Sequence, residues 1–306
     1  MIDFTKNPLF LAPMAGFTDL PFRYIAKKFG ADISISEMIS SNALVYENTK
    51  TINMLKCFDF EKPFIVQIAG NNEEIIKKAV LIINKYDFID GIDLNCGCPV
   101  NKVIKQNSGA ALLNDITLLK KIINTIKKYS IKKSLSVKIR LGFDKKEPLI
   151  IAKACEDSGA DFISIHGRTR KQFYNGYVDY EAISIAKQSV KIPVIANGDI
   201  NFDNFNIVKQ KTKCDGLMIG RAAIGRPWIF CEIKNNKTIN IQQKKEIILN
   251  HFDLMLKHYG KIAIKIFRKH LHEYSKGYKD ATLFRENINH IIDENIMSNM
   301  IEEFFN

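Results

Sequence analysis

The chain has 306 residues, 46% of them hydrophobic, with 45 Lys and Arg against 33 Asp and Glu and a formal net charge of +12. That length and apolar share exclude wholesale disorder and fit one large domain, with or without a small companion. No apolar run reaches ~18 residues, six Cys are too few for a disulfide scaffold, and the segment Met1-Ile2-Asp3-Phe4-Thr5-Lys6 lacks the apolar core of a secretory leader, so a reduced, cytoplasmic protein is expected.

Eight short apolar runs recur along the chain, at 9–13, 33–37, 64–69, 89–94, 135–141, 162–166, 193–196 and 216–219. Amphipathic stretches fill the gaps, near 20–29, 41–56, 72–85, 109–129, 147–158, 179–189, 203–210 and 223–234. Thr18-Asp19 before Pro21 reads as a helix cap with an early helical proline, and Asn71-Asn72-Glu73-Glu74 opens another helix with acids in its first turn. Alternating strands and helices imply parallel βαβ units, and eight of them predict a (β/α)8 TIM barrel. A doubly wound sheet is the other candidate, but no G-x-G-x-x-G follows the first strand. No repeat beyond the βα period stands out. From about 240 the strand pattern stops, and helices are expected over 241–258, 261–276, 281–292 and 294–305. The expected organisation is a barrel domain, 1–240, and a small all-helical domain, 241–306.

Of the basic residues only eight are Arg, at 23, 140, 168, 170, 221, 226, 268 and 285. In so Lys-rich a chain, these positions draw attention because the planar guanidinium offers a fork that Lys cannot imitate. The net charge suggests an anionic partner, most often nucleic acid. Residues 257–279 carry seven basic residues and one acid, and Lys261, Lys265, Arg268, Lys269 and His272 share a helix side by i, i+3, i+4 spacing, with Ile262, Ile266 and Leu271 supplying much of the apolar remainder. This is either a solvated face or a footprint for phosphates.

Strand parity places polar side chains where a barrel is normally apolar. Gln67, Asp93 with Asn95, Lys138 with Arg140, and Ser164 with His166 all point inward near the C-terminal ends of their strands. Barrel active sites sit at that end. The last two strands close on Asn197-Gly198-Asp199 and Gly220-Arg221, glycine turns at the usual phosphate position of this fold. The loop Asn95-Cys96-Gly97-Cys98-Pro99 offers two thiols too closely spaced for a structural zinc site, so no metal is expected. Either thiol is a buried, inert group or a reactive one. Model cysteines titrate near ~8.5, so a thiol at neutral pH has a proton to give.

Five ordered motifs resemble the tRNA-dihydrouridine synthases: Ala12-Pro13-Met14-Ala15-Gly16-Phe17-Thr18-Asp19, Asn95-Cys96-Gly97-Cys98-Pro99, His166-Gly167-Arg168-Thr169-Arg170, Ile195-Ala196-Asn197-Gly198-Asp199-Ile200 and Met218-Ile219-Gly220-Arg221-Ala222-Ala223. Gly225-Arg226-Pro227-Trp228-Ile229-Phe230 looks most like the bacterial B-type branch. The resemblance implies an FMN-containing barrel that reduces tRNA uridine to 5,6-dihydrouridine, with NADPH or NADH as reductant. Flavin hydride would go to uracil C6 and a proton from the catalytic cysteine to C5. That family usually has a larger apolar residue where Cys96 stands, which leaves Cys98, before Pro99, as the match to the catalytic cysteine. By the same carry-over Pro13, Met14, Ala15, Gln67, Lys138 and His166 would contact the flavin. Asn197, Gly198, Asp199, Gly220 and Arg221 would grip its phosphate, and Asn95 and Arg168 would lie near the uracil. Lys261, Lys265, Arg268 and Lys269 would meet tRNA. No obligate protein partner and a monomer are expected. Other FMN barrels acting on small molecules lack a reason for the basic helical tail, and an RNA-binding protein without catalysis has no use for Cys98, Lys138 and His166 together.

Overall fold

The computed structural model describes residues 2–306. Nine strands form one parallel sheet: β1 (Leu9–Leu11), β2 (Ile33–Ile35), β3 (Ile39–Ser40), β4 (Phe64–Ala69), β5 (Gly91–Cys96), β6 (Ser134–Arg140), β7 (Phe162–His166), β8 (Val194–Asn197) and β9 (Gly216–Ile219). β1 pairs with both β2 and β9, and β2 pairs with β4, so the sheet closes into a barrel. β3 continues along β4 beyond the end of β2, so the expected strand 33–37 is one interrupted stave and the barrel has eight.

Side chains alternate as parity demands. Ile92, Leu94, Val137, Ile139, Ile163 and Ile165 face the surrounding helices in the large core. Phe10, Ile33, Ile35, Ile65, Phe162, Ile195 and Met218 fill the lower interior. The turn Phe4–Lys6 closes the bottom, with the Phe4 ring 5.4 Å from that of Phe162. Above this apolar plug the interior turns polar, with Gln67, Asp93, Asn95, Ser136, Arg140, Ser164, His166 and Asn197 all buried.

The bottom rim holds a repeat of two βα units that the sequence reading did not find. Asp32, Asp90, Asp161 and Asp215 each stand just before β2, β5, β7 and β9. Each carboxylate accepts an N–H from the first or second residue of the preceding strand: Leu9 at 2.9 Å, Phe64 at 3.1 Å, Leu135 at 2.7 Å and Val194 at 2.7 Å. Each Asp N–H donates back to the carbonyl of that same residue. Lys234, Lys133, Lys127 and Lys187 neutralise the four carboxylates. The strands are thus tied at their feet in pairs. Asp161→Ala strands the buried Leu135 N–H, and an unmet buried donor costs about 1–3 kcal/mol. Urea denaturation should show that loss, and Lys127→Met, which removes only an exposed pair, should cost under about 1 kcal/mol.

Several helices differ from expectation for local reasons. The stretch 41–56 is two short helices, Ser41–Val45 and Thr49–Asn53, because Glu47 is left-handed and Asn48 caps the second. The stretch 109–129 divides at Asp115, whose carboxylate caps Ile116–Tyr129 through the Leu118 N–H. A short helix, Asn101–Ile104, belongs to no predicted element.

Four helices follow the barrel: Ile241–Tyr259, Ala263–Tyr274, Ala281–Ile288 and Glu294–Phe304. Phe252, Phe267, Phe284, Met297 and Phe305 form their core, which Ile25 and Trp228 from the barrel side join. Ile262, one of the apolar residues of the expected helix 261–276, lies in the turn Gly260–Ile262 and is exposed. Helix Ala263–Tyr274 buries Ala263, Ile264, Phe267, His270, Leu271 and Tyr274 instead. Among the described residues no helix is long and apolar enough to cross a membrane.

Candidate active site

The polar layer opens into a cavity of about 430 Å³ at the C-terminal mouth of the barrel. Pro13, Met14, Ala15, Gln67, Asn95, Cys98, Lys138, His166, Asn197, Gly198, Asp199, Gly220 and Arg221, all expected at the site, line it. The structure adds Phe17, Met38, Arg140 and Tyr174 to the wall. Arg140 was legible only as an inward group. Tyr174 carried no signal beyond its position in a basic loop. Its ring lies 4.6 Å from the Arg221 guanidinium and 5.5 Å from that of Arg140.

One buried carboxylate fixes the cysteine loop. Asp93 accepts from Ser136 Oγ at 2.6 Å and from Gln67 Nε2 at 2.7 Å. A carboxylate accepts, so the Gln67 amide nitrogen has to face it and Gln67 Oε1 has to face away. Gln67 Oε1 then accepts from Asn95 Nδ2 at 2.7 Å, which turns Asn95 Oδ1 toward the backbone N–H groups of Gly97, 3.2 Å, and Cys98, 2.9 Å. Two amide orientations and the Cys98 backbone follow from one charge. Burial raises the Asp93 pKa to about 6, against the Ser136 and Gln67 hydrogen bonds and the Lys138 charge. Arg140 holds the loop's other side, donating to the Gly97 carbonyl at 2.8 Å and to the Thr169 and Phe173 carbonyls. Gly109, with φ +63°, lies so close behind that a Cβ would sit 3.1 Å from that of Cys98.

The two thiols of this loop have opposite fates. Cys96 ends β5 on the parity of Ile92 and Leu94, so it faces the helices and is fully buried. Burial pushes its thiol well above the ordinary range. Cys98, past the strand end, lines the cavity. Burial also pushes Cys155 and Cys214 up to about 12. An alkylating reagent is therefore expected to modify Cys98 at least about tenfold faster than Cys96, Cys155 or Cys214 in the native protein. Peptide mass spectrometry over a time course reads this directly, and early label on Cys96 contradicts the assignment.

Across the cavity, Lys138 donates to Asn197 Oδ1 at 3.0 Å, and Asn197 Nδ2 donates to the Met218 carbonyl at 2.8 Å. Desolvation, then the Arg140 charge, brings the Lys138 pKa down to about 8. His166 is neutral: burial, reinforced by Lys138, Arg140, Arg168 and Arg221, pushes its pKa down to about 2. Its Nδ1 is buried with no hydrogen-bond partner among the described residues.

The helix after β8 begins only at Phe205, so Gly198 and Asp199 do not form its N-terminus. Instead Gly198, at φ +120°, turns the chain, and Tyr180 donates to its carbonyl at 2.8 Å. Asp199 is bridged by Arg168 at 2.6 Å and by Arg221. Burial works against this carboxylate, but the two Arg partners outweigh it and hold its pKa below the usual value. Two guanidiniums on one carboxylate leave a surplus positive charge beside Gly220, where an added Cβ would meet only Ala12 and Met14 among the described residues, each at 3.6 Å.

Two expected contacts are placed elsewhere. Arg168 is buried behind Asp199 and donates to the Asn175 and Gly176 carbonyls, which braces the wall. Arg268 donates to the Ile291 carbonyl at 2.7 Å, tying its helix to the connection between the last two helices of the tail. Lys261 and Lys265 are exposed, whereas Lys269 turns back to the Gly16 carbonyl. Among the described residues no cluster of His, Cys, Asp or Glu is arranged to hold a metal ion.

Comparison with known proteins identifies this architecture. The family model described as "Dihydrouridine synthase (Dus)" matches residues 10–306. A "Probable tRNA-dihydrouridine synthase" of Helicobacter pylori is 47% identical over 305 residues, which is 98% of this chain and 93% of that one. A "tRNA-dihydrouridine synthase B" of Pseudomonas syringae pv. tomato is 38% identical, over 98% of this chain and 91% of that protein. The fold is shared with an old yellow enzyme from Trypanosoma cruzi, at TM-score 0.56 and 9% identity over 76% of this chain and 89% of that one. An old yellow enzyme homologue from Zymomonas mobilis gives TM-score 0.53 and 13% identity, over 77% of this chain and 90% of that one. With the family model spanning nearly the whole chain and a relative at 47% identity, the chain belongs to the dihydrouridine synthase family.

Proposed function

We propose that this protein reduces specific uridines in tRNA to 5,6-dihydrouridine, using FMN and taking electrons from NADPH or NADH. The observation that carries this reading is a single cavity with a thiol on one wall, a lysine of lowered pKa on another and a surplus of guanidinium at its rim. Those residues fit FMN. The orphaned His166 Nδ1 and the Lys138 ammonium would meet the polar edge of its ring, with Gln67 beside them. Pro13, Met14 and Ala15 would pack on the ring, and Asn197, Gly198, Asp199, Gly220 and Arg221 would hold the phosphate. Bound FMN would supply a two-electron donor for the C5–C6 bond of uracil.

The chain's own residues do the rest. Lys138, held charged by a bound anion, stabilises negative charge at the cofactor's polar edge. Asn95 has one amide hydrogen free of Gln67 and orients the base. Cys98 gives its proton to C5, and its thiolate recovers a proton from water. Neutral His166 adds a hydrogen bond without a second cation. The target base has to leave its stack to reach a barrel mouth. We assign 1–240 to catalysis and 241–306 to tRNA docking, with Lys261 and Lys265 facing phosphates. The protein would act as a monomer in the cytoplasm, where its six free thiols stay reduced.

The test is a purified-protein assay with tRNA, FMN and NADPH, reading dihydrouridine by nucleoside mass spectrometry. Dihydrouridine formation that needs all three components is the expected result. Protein that carries FMN but leaves every tRNA uridine intact refutes the reading.

A further inference from the structure

We propose that Lys269, on a helix of the tail, is a positioning residue that sets the cofactor loop of the barrel rather than a phosphate contact. This rests on the FMN reading above. The loop after β1 has no regular structure, yet Pro13, Met14, Ala15 and Phe17 all line the cavity. Its shape therefore depends on what grips it.

The grip centres on Gly16, at φ +82°. Its N–H donates to Glu37 Oε1 at 2.5 Å, and its carbonyl accepts from Lys269 Nζ. One residue of the loop is thus clamped by an anion from the barrel and a cation from the tail. The same ammonium lies 5.3 Å from the centre of the Phe17 ring, and that ring stands edge-on to His270 at 5.5 Å. One step further, Tyr259 donates to Asp19 at 3.1 Å, and Asp19 caps helix Leu20–Lys28. Two barrel carboxylates lie nearby: Glu37 shares Gly16 with Lys269, and the Lys269 charge acts on Asp19. Lys265, one turn earlier on the same helix, is exposed. Two lysines of one helix therefore have different tasks: Lys265 faces solvent, and Lys269 holds the cofactor loop.

The experiment strips FMN from the full-length protein and titrates it back, without RNA, by flavin fluorescence and visible absorption. Lys269→Met keeps the side-chain stem but loses the donor, and it should weaken FMN binding about tenfold and change the shape of the flavin band. Lys269→Arg keeps a cationic donor and should restore affinity to within about threefold of wild type. Lys265→Met should leave FMN affinity within about twofold while weakening tRNA binding in a salt-dependent way. If Lys269→Met binds FMN with wild-type affinity and an unchanged spectrum, and loses only salt-dependent tRNA affinity, the proposal is overturned and Lys269 is a phosphate contact. If the Met variant does not fold, Lys269→Gln serves for the same comparison. Wild-type protein that binds no FMN is a separate result, and it removes the flavin reading itself.

Discussion

Cys98→Ala is expected to slow uridine reduction by about 10²–10⁴-fold, the range a positioned general acid contributes, while FMN remains bound. The basic side chains of the cavity wall are poorly suited to the task. Arg140 is committed to three carbonyls, Lys138 to Asn197, and Arg221 to Asp199. His166 is neutral and lacks an acidic proton. The loss should be in chemistry and not in folding, because Asn95 holds this loop through backbone N–H groups that alanine keeps. Cys98→Ser keeps the shape and replaces the thiol with a far weaker acid, so its rate should stay within about tenfold of the alanine variant. Single-turnover experiments that follow dihydrouridine after pre-reduction of the protein isolate the step. An alanine variant with the wild-type single-turnover rate would remove Cys98 as the acid.

Cys96 shows where sequence reading stops short. A strand ending at residue 94 leaves both thiols in a loop and both roles open. The structure extends β5 to Cys96, and parity then sends Cys96 outward with Ile92 and Leu94. Two more residues of strand would have settled the choice. The inward set Gln67, Asp93, Asn95, Lys138, Arg140 and His166 was legible because a period of two needs no tertiary information. Two residues of the tail are hard to place from sequence for the opposite reason. Helical spacing gives Lys265, Arg268 and Lys269 one side, but a side is not a contact. Arg268 meets Ile291 and Lys269 meets Gly16, partners 23 and 253 residues away in sequence. The aspartate repeat was also present in the residues, as Gly-Ala-Asp at Asp32 and Asp161 and Asp-Gly at Asp90 and Asp215, but those short patterns alone name no partner. What makes the four alike is the N–H each one accepts, and a linear sequence does not display that.

Lys138→Met is expected to stabilise the FMN-free protein while slowing uridine reduction by about 10²–10³-fold, the cost of removing a preorganised charge-stabilising group. In the unfolded chain the lysine titrates near its model value of 10.5; in the fold it titrates at about 8. Below pH 8 both states are charged, so the folded protein bears the full penalty of holding a desolvated ammonium beside Arg140. Between 8 and 10.5 the unfolded chain binds the proton and the folded one does not, so wild-type stability rises with pH across that window. Above it the penalty is gone. Because Lys138 is only partly shielded from cavity water and donates to Asn197, the penalty at pH 7 is discounted to about 1–2 kcal/mol. Methionine carries no charge, so its unfolding free energy should exceed wild type at pH 7 and the advantage should vanish near pH 10. Urea denaturation of the two FMN-free proteins at both pH values makes the comparison. A Met variant that is less stable at pH 7, with no rise in wild-type stability above pH 8, contradicts the assignment. An anion bound beside Lys138 would relieve this cost, so FMN should raise wild-type stability more than it raises that of the Met variant. The lysine is held at a loss when the cavity lacks its ligand, as expected for a group selected for what it binds.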